Sequence, residues 1–176
     1  MKAQTWVSVV IYTLISLAII SALIIATKPK IDEARDKFTI NYMINAMNEL
    51  DTVINEVNDV IGTRRSLELR ISRGELMIIP EDDMIKYSII TNFKFSEPNL
   101  IITIGKINLL TTESKGKIQT ELWINYSTPI NITTEPDKEG MNLTLSASST
   151  PYNIWIENLG PSSTESPNNT IYISVP

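Results

Sequence analysis

The side chains able to do chemistry are few and scattered. Three consecutive carboxylates, Glu81-Asp82-Asp83, offer oxygen ligands of the kind that calcium takes. The same run between two apolar stretches is also what a solvated turn carries, so no metal site is assigned to it. Trp123, Trp155, Tyr126, Tyr152 and Tyr172 could stack on a ligand, but they fall in strand-like stretches, where aromatics serve as core or cross-strand pairs. Four Asn-x-Ser/Thr sequons, at Asn125, Asn131, Asn142 and Asn168, are potential N-glycan acceptors. In a chain of this Asn, Ser and Thr content, roughly three such triplets arise by accident, so their placement in the second half says more than their number. The chain has no Cys and no His. Disulfides, thiolate metal sites, cysteine nucleophiles and histidine general bases are thereby excluded. With no phosphate loop, nucleophile elbow or zinc spacing either, the sequence reads as non-enzymatic and implies no cofactor.

What remains is architecture, and it begins with Gln4 to Thr27, QTWVSVVIYTLISLAIISALIIAT, which holds no charged residue. Its length of about 24 positions meets the roughly 20 needed to span a bilayer. Twelve residues between Trp6 and Thr27 are Ile, Leu or Val. At roughly −0.3 to −0.6 kcal/mol each, they contribute about −4 to −7 kcal/mol towards insertion. Ser8, Thr13, Ser16 and Ser21 offset part of this, since their hydroxyls can bond carbonyls of their own helix. A secretory signal peptide would have a shorter apolar core and a small-x-small cleavage site, whereas Ala22 and Ala26 follow Ile20 and Ile24 by two positions. A buried helix of a soluble protein would not normally run so far without a charge. A plain single-pass anchor fits as well. Ala18, Ala22 and Ala26 recur every four residues, a small-residue ridge along which helices can approach closely.

Lys28-Pro29-Lys30 closes the apolar run, and its proline predicts a kink or short break. Beyond it, Ile40, Met43, Met47, Leu50, Ile54, Val57 and Ile61 recur at steps of three and four, with Ala46, Val53 and Val60 beside them. The pattern predicts an amphipathic stem helix of about 30 residues within 28–65, ending at Gly62 with a left-handed cap and Arg64 and Arg65 near its negative pole. The apolar stripe could pack on the chain's own remaining domain, and in part on the stems of neighbouring copies.

From Leu67 the period falls from 3.6 to 2. Leu67, Leu69 and Ile71 alternate with polar residues, and Arg73-Gly74 turns into Glu75 to Ile79, which reads as a hairpin. Further strands are predicted over Met84 to Thr91, Leu100 to Leu110, Ile118 to Tyr126, Asn142 to Ser146, Tyr152 to Glu157 and Thr170 to Val175. The polar run Gly160 to Asn169 reads as a loop. About eight short strands predict a β-sandwich or a strongly curved antiparallel sheet over 66–176, and an α+β chain overall, with a long N-terminal hydrophobic and amphipathic helix ahead of an all-β head. Residues 1–65 carry seven basic and seven acidic side chains, so the net charge of −5 sits on the head. An acidic head makes nucleic acid an improbable partner. Lys2 on one side of the apolar run and Lys28, Lys30 and Arg35 on the other leave its orientation undecided.

Directly before the apolar run, Lys2-Ala3-Gln4 sets a basic and a small residue ahead of an uncharged polar one. This resembles the class III signal peptide of archaeal type IV pilins and archaellins, and a long N-terminal helix ahead of a β-rich head resembles their layout. The resemblance implies cleavage between Ala3 and Gln4, leaving residues 1–3 as the leader and 4–27 on the mature protein. It also implies that membrane helices leave the bilayer to bundle into a filament core. The implied partners are further copies of the chain, the membrane, a prepilin peptidase, an assembly ATPase and a membrane platform protein. Many members of that family carry Glu at the fifth mature position, where this chain has Ser8. A filament subunit outside the cell is therefore expected, with a membrane-anchored surface protein, such as a minor pilin, a stator-like component or a binding module, as the alternative.

Overall fold

The computed structural model describes residues 2–114, 116–126, 130–136, 140–163 and 166–176. The predicted loop over 160–169 therefore lies partly outside the described residues, and Met1 lies outside them. The first element is one helix, α1, Lys2–Asn58, which at 1.5 Å per residue is about 85 Å long. Pro29 lies inside it. The predicted break does not form: a proline deprives the Ile25 carbonyl of its usual donor at a cost of about 3 kcal/mol, and more than twenty helical residues on either side outweigh it.

The end of α1 also differs from expectation. It stops at Asn58, and Gly62, although at φ +79°, belongs to the turn that leads into β1, Arg64–Leu69. The reason is tertiary. The side-chain amide of Asn158 donates to the Val57 and Asn58 carbonyls at 3.0 and 3.1 Å, and that of Asn169 donates to the Asn58 carbonyl at 3.0 Å. Carbonyls that a helix leaves unsatisfied at its end are thus taken by side chains 100 or more positions away. Val60 and Ile61, expected on the buried stripe, lie past that end and are exposed.

The remaining strands are β2, Glu75–Ile79; β3, Met84–Thr91; β4, Ile101–Ile104; β5, Ile107–Ser114; β6, Lys117–Asn125; β7, Ile130–Thr133; β8, Leu143–Ser146; β9, Tyr152–Ser163; and β10, Ser166–Ser174. They form a four-stranded sheet, β1-β9-β10-β7, and a six-stranded sheet, β4-β5-β6-β3-β2-β8. All neighbours are antiparallel except β7 and β10. This is the α+β architecture with a β-sandwich-like head.

Several predicted strands change in extent or partner. β1 and β2 form no hairpin: β1 pairs with β9 from Arg64↔Glu157 to Leu69↔Tyr152, while β2 pairs with β3 and β8 in the other sheet. The link between them crosses from sheet to sheet, and at Gly74, φ +77°, a Cβ would lie 2.3 Å from the Ser88 carbonyl oxygen, so only glycine fits. The stretch 100–110 splits at Gly105-Lys106, a two-residue turn with Gly105 at φ +64° that folds β4 onto β5. β7 went unpredicted, being four residues long and parallel to β10. The polar run after Gly160 extends β9 and opens β10, held by backbone pairing such as Thr170↔Gly160 and by register shifts rather than by apolar alternation.

The stem half of α1 contacts β1, β9 and β10 of one sheet and β3 and β5 of the other. Ile40, Met43, Met47, Leu50, Ile54 and Val57, the predicted stripe, are all at most 1% exposed. They join Leu76, Ile85, Tyr87, Leu122, Ile154 and Ile171 in one core. Burial of each such side chain stabilises by about 1.5–3 kcal/mol, so the head and the stem fold as a unit. Strands and stem run alongside each other: Asn92, after β3, meets Asp36, whereas Lys106, between β4 and β5, meets Asp51 and Asn55. The head thus has a near end beside Asp36, towards the apolar helix, and a far end beside Asn58.

Candidate assembly surface

Among the described residues, none covers the first half of α1 from Trp6 onward. It is long and apolar enough to cross a membrane, and its most apolar window has no buried residue. Trp6, Leu17, Ile24 and Ile25 are 75, 62, 61 and 74% exposed. Four of its hydroxyls are satisfied within the helix, three of them as expected: Thr13 donates to the Val10 carbonyl at 2.8 Å, Ser16 to Tyr12 at 2.8 Å, Ser21 to Leu17 at 2.8 Å and, in addition, Thr27 to Leu23 at 2.9 Å. The helix therefore presents no unpaired hydroxyl at these positions to a hydrocarbon environment. Ala18, Ala22 and Ala26 are exposed on this rod, and Ala3 and Gln4 lie in its first turns.

The near end of the head grips α1 through polar contacts. Asp36 is buried and accepts from the Arg73 guanidinium and from the Asn92 backbone N–H at 2.9 Å. Arg73 is held in turn by Tyr87, whose hydroxyl donates to the Arg73 carbonyl at 2.5 Å. Burial raises the Tyr87 phenol above its usual range, so it stays a neutral donor. On either side of this anchor along α1 the stem has a second face that the sequence did not predict. Ile31, Phe38 and Tyr42 are 57, 72 and 37% exposed, whereas their neighbours Ile40 and Met43 are buried. Their spacing of seven and four was the available signal.

The acidic turn serves the head itself. Asp83, at φ 47°, accepts from the Ile132 N–H through its carboxylate at 2.7 Å, and its carbonyl accepts from the Tyr126 N–H at 2.8 Å. Burial raises its pKa, the Ile132 N–H opposes that, and the Asp82 charge adds to it. Glu81 and Asp82 are exposed, and among the described residues no three acidic groups converge on a metal-sized site. Of the aromatics, Trp155 lies beneath the Arg64 guanidinium at 4.4 Å, and Tyr126 is buried. Burial and the nearby Asp51 carboxylate raise the Tyr126 phenol as well.

Topology brings all four sequons to the far end. Asn125 pairs with Met84, Asn131 adjoins Ile132 on Asp83, Asn142 precedes the Leu143↔Ile78 pair, and Asn168 precedes the Asn169↔Ile130 pair. They are not equivalent. Asn142 and its Thr144 are both exposed, while Thr133 and Thr170, the hydroxyl residues of the Asn131 and Asn168 sequons, are buried. Asn125 is exposed, but its amide donates to the Asp82 carbonyl at 3.4 Å, and Ser127 lies outside the described residues.

Comparison with protein-family models, with curated proteins and with solved structures found no match.

Proposed function

We propose that this chain is the structural subunit of an extracellular filament of the archaeal type IV pilus kind, built by bundling of the apolar helices with the β heads outside. One observation carries the reading: an uncovered apolar rod is continuous with a stem locked into a folded head, so whatever covers the rod also positions the head. Lipid can cover it first. In water only an equally apolar surface can, and burial at roughly 25 cal/mol per Å² would hold such an assembly together without covalent links. The leader-like Lys2-Ala3-Gln4 supports the processing that this pathway requires, and the implied partners are a prepilin peptidase, an assembly ATPase and a platform protein.

Ser8 at the fifth mature position favours a second reading, a minor or anchored surface component that stays in the membrane. Two measurements separate the readings. Mass spectrometry of the mature protein should find Gln4 first, and filaments sheared from cells should contain this chain as a major species. An intact Met1, or filaments that lack the chain, would overturn the subunit reading.

A further inference from the structure

The exposed apolar surface of α1 does not stop where a bilayer would. Trp6 to Tyr42 spans about 55 Å at 1.5 Å per residue, against about 30 Å of hydrocarbon. Lys28 and Lys30 mark the headgroup level, so Phe38 and Tyr42 stand in water, on a face not used by the head. Above Tyr42 the exposed side of the stem turns polar, with Asn45, Asn48, Glu49 and Thr52. The surface is therefore divided lengthwise into an apolar segment, a mixed segment bearing charges of both signs with cations in excess, and a polar segment bearing an acid.

Resting on the filament reading, we infer that the Ile31-Phe38-Tyr42 face is covered by the apolar helix of a second, parallel copy displaced by two heptads along the axis, about 21 Å. Charge and hydrophobicity select that displacement. In register, the stretch 28–37, in which the cations Lys28, Lys30, Arg35 and Lys37 outnumber the acids Asp32 and Glu33, Asp36 being paired with Arg73, would lie beside itself. One heptad of displacement still sets Lys28 beside Arg35 and Lys30 beside Lys37. Two heptads set 17–28 of the second copy beside 31–42 of the first, so that Leu17 reaches the level of Ile31 and Ile24 that of Phe38. The same shift brings the basic stretch to the level of Glu49, which is exposed and has no ion-pair partner among the described residues. Three heptads would place Leu23 to Thr27 against the polar positions Asn45 and Asn48. The contact is heterologous, so it repeats from copy to copy and propagates a filament rather than closing a dimer.

The absence of native cysteine makes the register directly measurable. Phe38→Cys would be made alone and combined in turn with Leu23→Cys, Ile24→Cys or Ile25→Cys, three sites at the same level on different sides of the helix. Sheared filaments would be oxidised and run on non-reducing gels. The paired cysteines lie more than a dozen residues apart on one helix, about 20 Å, beyond the reach of an intrachain disulfide. The expected result is a ladder of dimers, trimers and larger species from at least one double variant, and monomer from Phe38→Cys alone. Dimers from Phe38→Cys alone would show in-register packing and overturn the inference. Intact filaments with no cross-link in any double variant would overturn it while leaving the filament reading in place. Absence of the chain from filaments would overturn both.

Discussion

Asp36 and Arg73 tie α1 to the head across the first turn of the stem that the head contacts. The Asp36 carboxylate is 1% exposed, one oxygen bonded to the Arg73 guanidinium and the other to the Asn92 N–H. The guanidinium also donates to the Ile90 carbonyl at 3.3 Å, so one charge pair joins the helix, the β1–β2 link and the end of β3. A rod that carries assembly forces must be fixed to its head near the point where it leaves it.

Removing one partner of that pair should cost more than removing both. Arg73→Met leaves a buried carboxylate with one backbone donor. The expected loss is about 2–4 kcal/mol, somewhat below the usual range for a buried pair because the guanidinium is 39% exposed. The double variant Asp36→Leu/Arg73→Met should recover part of it. Urea unfolding of the full chain in detergent, followed by tryptophan fluorescence, measures both; additive losses would show that the two residues do not act as a pair.

Asn158 should be the costliest polar residue of the far end. It is 1% exposed, caps two carbonyls of α1 and accepts from the Gly160 N–H at 2.8 Å. Asn158→Ala is expected to destabilise by about 2–3 kcal/mol, because the Val57 carbonyl loses its side-chain donor and the Gly160 N–H its acceptor, while the Asn58 carbonyl keeps Asn169. Asn158→Asp should be at least as damaging, since it sets a carboxylate against carbonyl oxygens. Amide exchange should rise first in the last turn of α1; unchanged protection there would exclude a capping role.

Asp83 should separate hydrogen bonding from charge. Its raised pKa means that the folded state holds the proton more tightly, so this group lowers stability as pH rises from its unfolded value through its folded one, and the loss persists above that. Asp83→Asn keeps an acceptor for the Ile132 N–H and tolerates the left-handed backbone, so stability near neutral pH should be equal or higher and the local pH dependence should vanish. Asp83→Ala should cost about 1–3 kcal/mol at all pH values, through the orphaned N–H and the strained φ. Unfolding curves between pH 3 and pH 8 test the sign.

Ala22→Phe should lower filament yield several-fold while leaving the head folded, because a ring on the Ala18-Ala22-Ala26 ridge holds neighbouring helices apart. Near-ultraviolet dichroism checks the fold, and recovery of sheared filaments checks assembly. Undiminished yield would remove the ridge from the packing scheme.

Residue order alone dictated what depends on neighbours in the chain. The charge-free run to Thr27, the steps of three and four from Ile40 to Val57, and the alternation from Leu67 onward set a helix, its buried face and the strands, because burial acts on periodicity and needs no knowledge of the partner. Tertiary structure decided what depends on partners far away. The stop of α1 at Asn58 rather than Gly62 follows from Asn158 and Asn169, and β1 leaves β2 for β9 because backbone hydrogen bonds carry no sequence label. Pro29 stayed inside the helix because its local cost was smaller than the cooperative gain on both sides. The face bearing Phe38 and Tyr42 emerged only once the head had occupied the other side of the stem, since exposure belongs to the packed molecule and not to the residue.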